Sequence, residues 1–200
     1  MSKRRVARNP VDTLFRAAIR DDTEALNWAL DNGADINAQA VLISGTALHR
    51  AGPKTARILI DRGADIHVQD HMGDTPLHLA AFKAEPEVIS MLIEAGADPN
   101  ARNKRGQTPL HHALHVEVVR PLVEGGARQH RDDDGRTPLD SCKYGMDEER
   151  KELMWHAEQL AVSGERREKL LELAKASRPA DDLATPEQAL SARQKHGREM

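Results

Sequence analysis

The chain has 200 residues, a formal net charge of -3 from 29 Lys+Arg against 32 Asp+Glu, and 2% aromatic residues. At roughly 150 residues per domain that length allows one domain with tails or two very small ones, and the balanced charge argues against a dedicated nucleic-acid clamp. A single cysteine, Cys142, excludes an intrachain disulfide framework and fits a reducing compartment.

Residues 1–9, with Lys3, Arg4, Arg5 and Arg8, read as a flexible basic arm. No hydrophobic segment follows it, so a secretory signal is not expected. No apolar run approaches the ~20 residues of a membrane span, and the expectation is a soluble cytoplasmic protein. From residue 10 two motifs interleave. One is Gly45-Thr46-Ala47-Leu48-His49, Gly73-Asp74-Thr75-Pro76-Leu77-His78, Gly106-Gln107-Thr108-Pro109-Leu110-His111 and Gly135-Arg136-Thr137-Pro138-Leu139-Asp140. The other is Gly33-Ala34-Asp35, Gly63-Ala64-Asp65, Gly96-Ala97-Asp98 and the eroded Gly126-Ala127-Arg128. Their glycines Gly33, Gly63, Gly96 and Gly126 are spaced by 30, 33 and 30 residues, which marks a repeat architecture.

Five units follow in order: 10–40, 41–70, 71–103, 104–133 and 134–162. In the third, fourth and fifth, Thr75, Thr108 and Thr137 are placed as N-caps, with proline tolerated in the first helical turn. The motif glycines follow apolar runs such as Ile58-Leu59-Ile60 and suit left-handed C-caps. Each unit is therefore helix, turn, helix, and a β-turn loop to the next, and units must stack to bury their apolar faces. Thr75 to Gly96 spans 21 residues, against 17 for Thr46 to Gly63 and 18 for Thr108 to Gly126. The deletions are assigned to the turns between paired helices, around Gly52-Pro53 and Leu114-His115-Val116. Pro121 is expected to kink or shorten the second helix of the fourth unit, at about 3 kcal/mol. Residues 163–176 read as a charged helix and 177–200 as a disordered tail.

The threonine-proline-leucine-histidine motif and its period resemble the ankyrin repeat family over roughly residues 10 to 160. The resemblance implies an all-α solenoid of stacked helix-turn-helix units with β-turn loops. It also implies that turn tips and inner helices line one concave face that grips a protein partner. By motif position, that face takes Leu42 and Ile43 in the second unit, His71, Met72 and Asp74 in the third, Lys104, Arg105 and Gln107 in the fourth, and Asp133, Asp134 and Arg136 in the fifth. Inner-helix ends add Phe82, Lys83, Leu114, His115, Lys143 and Tyr144.

Catalytic signatures are missing from the sequence: no phosphate-cradling glycine loop, no nucleophile elbow, no His-Glu-x-x-His and no cysteine pair. His111, His112 and His115 are close enough in sequence to suggest a metal site. The resemblance instead gives His49, His78 and His111 a structural hydrogen bond to the motif threonine and neighbouring backbone. Asp132-Asp133-Asp134-Gly135 lacks the ligand pattern and closing glutamate of a calcium loop and reads as a turn. Cys142 reads as a buried, inert thiol. The expected function is a non-enzymatic interaction module without metal or cofactor, monomeric when free. The alternative is a nucleic-acid-associated regulator using the basic arm with Lys104 and Arg105.

Overall fold

The computed structural model describes residues 9–39 and 45–141. Leu42, Ile43, Cys142, Lys143 and Tyr144, the basic arm before Asn9, the charged helix and the C-terminal tail all lie outside them. The described elements are α1 (Pro10–Arg20), α2 (Thr23–Asp31), a 3-10 turn (Ala47–His49), α3 (Pro53–Asp61), α4 (Pro76–Phe82), α5 (Pro86–Glu94), α6 (Pro109–His112), α7 (Val116–Glu124) and α8 (Pro138–Ser141). They pack in two layers. The inner layer runs α1, the 3-10 turn, α4, α6, α8, and the outer layer runs α2, α3, α5, α7. The architecture is all-α, with no strand among the described residues.

The repeated side chains become ladders. Leu14, Leu48, Leu77 and Leu110 occupy one inner position and are buried, while Leu59, Leu92 and Leu122 do the same in the outer layer, with Ala29 at that position in the first pair. Burying a leucine contributes about 1.5–3 kcal/mol, and each leucine here is covered partly by a neighbouring unit. Ala17, Ala51, Ala80 and Ala113 form a third, small-residue ladder in the inner layer, also buried. Its lack of bulk suits the close approach of short inner helices and explains how the core manages with few aromatics.

Gly33, Gly63, Gly96 and Gly126 have φ between 82° and 100° and stop the outer helices, as their position after apolar runs predicts. Loop tips then fold on one polar side chain apiece. Asp70 Oδ1 accepts the Met72 and Asp74 N–H groups at 2.8 and 3.0 Å. Asn103 Oδ1 accepts those of Arg105 and Gln107 at 2.9 and 3.0 Å. Asp132 Oδ1 accepts those of Asp134 and Arg136 at 3.0 and 2.8 Å. Adjacent tips join through backbone bonds from Lys104 N to Met72 O and from Asp133 N to Arg105 O, both 3.1 Å.

Two expectations need correction. The connection between paired helices is three residues in the second, third and fourth units alike: 50–52, 83–85 and 113–115. The deletions fall instead on the inner helix, which has seven residues in α4 but four in α6 and only three in the 3-10 turn. A three-residue link is already close to the minimum that reverses the chain, so the helix end is what can be lost. Pro121 likewise does not shorten its helix: α7 has nine residues, the same as α3 and α5. Gly125 N–H still donates to Pro121 O at 3.0 Å, so the ladder resumes past the missing donor.

Candidate partner-binding face

The face begins with how each inner helix is started. Thr75 N–H donates to His78 Nδ1 at 3.2 Å, and the Thr75 hydroxyl lies 2.9 Å from the same nitrogen. An N–H can only donate, so Nδ1 is the acceptor and the neutral ring carries its proton on Nε2. That Nε2–H donates to Gln107 O in the following unit at 3.1 Å. His49 makes the same bonds to Thr46 and to Asp74 O, and His111 to Thr108 and Arg136 O. Each imidazole thus caps its own helix and holds the next tip. Asp140, at this position in the fifth unit, accepts the Thr137 N–H and hydroxyl at 3.0 and 2.8 Å, reproducing the local half of the brace.

Residues 14–103 match the family model for ankyrin repeats, in three copies. These are ankyrin repeats. The helix pair α6–α7, beyond the matched span, has the same threonine–histidine brace and belongs to the same stack. Ankyrin repeats mediate protein–protein interaction, and no helix among the described residues is long and apolar enough to cross a membrane.

Of the tip residues, His71, Lys104, Arg105, Asp133, Asp134 and Arg136 are exposed, and Met72, Asp74 and Gln107 are half-buried. Exposure alone does not make them available. Lys104 Nζ donates to His71 O at 2.9 Å, Arg102 Nη2 pairs with Asp133 at 3.2 Å, and Arg136 bonds both Asp132 and Asp134. Asp74 turns inward, accepting from Asn103 Nδ2 at 2.7 Å. The Arg105 guanidinium has no ion pair among the described residues, but the exposed carboxylates Asp133 and Asp134 in the same row offset the cations and limit the net field toward a polyanion. At the inner-helix ends Phe82 is 58% and Leu114 48% exposed, which places both outside the inter-repeat core. His115 is exposed beside Leu114. Lys83 is exposed too, but its ammonium donates to Arg50 O and Ala51 O at 3.1 and 3.4 Å and pairs with Glu85 at 2.9 Å.

The motif histidines His49, His78 and His111 are spent on structure. Burial, against the pull of the Gln107 carbonyl, lowers His78 to about 4, and burial also lowers His49 and His111. His112, lowered by burial with Asp74 opposing, stacks edge-on against His78 with ring centres 5.5 Å apart. Its Nε2 lies 3.9 Å from Asp74 Oδ1 and has no hydrogen-bond partner. Among the described residues no group of three or more His, Cys, Asp or Glu side chains is placed to share a metal ion. At the fifth tip, burial raises the Asp132 carboxyl, but the Arg136 N–H and guanidinium outweigh it and hold the group below the usual range.

Sequence reasoning passed over Ile19 and Arg20. Ala17-Ala18-Ile19-Arg20 at the end of α1 parallels Ala80-Ala81-Phe82-Lys83 at the end of α4, and Asp21 and Ala84 follow with φ of 53° and 58°. Ile19 is exposed, at 54%, much as Phe82 is. The parallel tetrapeptides were the available signal, hidden because the first unit lacks the threonine-proline motif that sets the register.

Proposed function

We propose that this ankyrin stack is a non-enzymatic binding module that takes a protein partner on the face made by its loop tips and inner-helix ends. The observation that carries the reading is the pair of exposed apolar side chains, Phe82 and Leu114, on elements whose backbone is held by buried braces. A surface already ordered loses little entropy on binding, so a few anchors suffice for useful affinity. Apolar anchors beside polar groups are the usual anatomy of such a patch. Against the nucleic-acid alternative, Lys104 and Arg105 stand in a tip row that also carries the exposed acids Asp133 and Asp134.

The test is capture from a lysate of the native source by the immobilised full chain, followed by mass spectrometry. A protein retained by the wild type is expected to be lost at least tenfold by Phe82→Ala/Arg105→Glu/Leu114→Ala, with the helical circular dichroism spectrum unchanged. Equal capture by the folded variant overturns the assignment of the face.

A further inference from the structure

Neighbouring units are tied below the outer helices by a recurring side chain, and one joint lacks it. Asn37 and Asn100 hold the same place in their units, two residues after the motif aspartates Asp35 and Asp98, and both are half-buried. Asn37 Oδ1 accepts the Asp65 N–H of the second unit at 2.9 Å. Asn100 Oδ1 accepts the Arg128 N–H of the fourth unit at 2.8 Å, and its Nδ2 donates to Gly126 O at 3.0 Å. The corresponding residue of the second unit is His67, which is exposed and whose ring makes no hydrogen bond or ion pair among the described residues. The Asp98 N–H, counterpart of the Asp65 and Arg128 donors, has no partner among them either. An asparagine amide carries acceptor and donor on one short side chain and can bridge two backbone groups at once, whereas the two ring nitrogens of histidine point apart.

The rest of this joint repeats the difference. From the first unit to the second, the outer layer also has Arg62 bonded to Asp31 and Asn27 at 2.8 and 3.0 Å. Between residues 53–68 and residues 86–101 there is no hydrogen bond or ion pair among the described residues. Helices α3 and α5 pack there through buried side chains such as Ala56, Leu59, Val88, Ile89 and Leu92. The inner layer keeps its ties, from His49 Nε2 to Asp74 O and from Lys83 Nζ to Arg50 O and Ala51 O. Apolar burial is non-directional, so in the outer layer it holds the two units together without fixing how they slide. In a stack held by nearest-neighbour terms, the joint with the fewest directional ties is where opening starts.

We propose that the joint between the second and third units is a built-in yielding point, at which the first two units move and open as one block, and that His67 sets it. Phe82 and Leu114 lie together beyond the joint, in the third and fourth units, so the anchors of the partner face keep their register while it gives. The test is hydrogen–deuterium exchange of the full chain, read peptide by peptide. Helices α1, α2 and α3 are expected to share one exchange rate, faster than that of α5 and α7. His67→Asn should narrow the gap between α3 and α5 by about two- to tenfold, which one restored hydrogen bond accounts for. His67→Ala should leave the gap as it is, since the ring has no bond to lose. Asn37→His should move the step toward the N-terminus, so that α1 and α2 exchange ahead of α3. Rates that vary smoothly along the chain, a step at another joint, or a gap that His67→Asn leaves unchanged would overturn the proposal. So would equal narrowing by His67→Ala, because the bulk of the ring rather than the missing amide would then loosen the joint.

Discussion

The carboxylate of Asp21 does work for a helix that is not its own. The N-cap of α3 is Gly52, which has no side chain to accept the exposed N–H groups, and Asp21 supplies the acceptor from the preceding unit. Asp21→Ala should therefore destabilise the protein by about 1–2 kcal/mol, the usual worth of an N-cap, read as a shift in the urea midpoint. Gly52→Ala should be at least as damaging, because a Cβ there would sit 2.8 Å from Asp21 Cγ and displace the cap. His78→Ala leaves the Thr75 N–H and the Gln107 carbonyl without partners in a buried place, and the expected loss is about 2–3 kcal/mol. The threonine–histidine pairing could be anticipated from the motif. Asp21 could not, since nothing in the neighbouring residues says that its partner is Thr55, 34 positions on.

Between helices, the informative comparison is of lengths. Outer helices α2, α3, α5 and α7 all have nine residues, whereas inner elements vary from three to eleven. Each outer helix is held by buried residues in successive turns, such as Val88, Ile89 and Leu92 in α5 or Val118, Val119 and Leu122 in α7, while the last turns of the inner helices α1 and α4 carry exposed Ile19 and Phe82. Beside the trimmed elements Ile19, Phe82 and Leu114 stand exposed. Counting residues between motifs revealed the deletions but not their place, because a shorter turn and a shorter helix leave the same gap in sequence. In α7, Pro121 removes one ladder bond without ending the helix, since Val118, Val119 and Leu122 are buried and keep it in place. Pro121→Ala is expected to raise stability by about 1–2 kcal/mol, the restored bond being offset in part by a freer unfolded chain. A thermal melt measures it, and a lower melting temperature would show that proline suits that turn.

Across the stack, the buried imidazoles tie stability to pH. His49, His78, His111 and His112 are all lowered from 6.5 by burial, His78 to about 4. The unfolded chain takes up protons on these rings near 6.5 while the folded chain does not, so stability is fully present above that pH and falls as acid is added toward 4. The slope is at most about 1.4 kcal/mol per pH unit for each fully desolvated ring. Urea midpoints at pH 7 and pH 5 should differ clearly, and a flat profile would mean the rings are charged in the folded state. Period, motif threonines, capping glycines and core leucines were readable in the chain itself, because each is a local requirement restated in every unit. Which cations remain unpaired and which carboxylate caps a neighbour's helix depend on groups about thirty positions apart. Only stacking brings those groups within hydrogen-bonding distance, and a linear pattern cannot record that meeting.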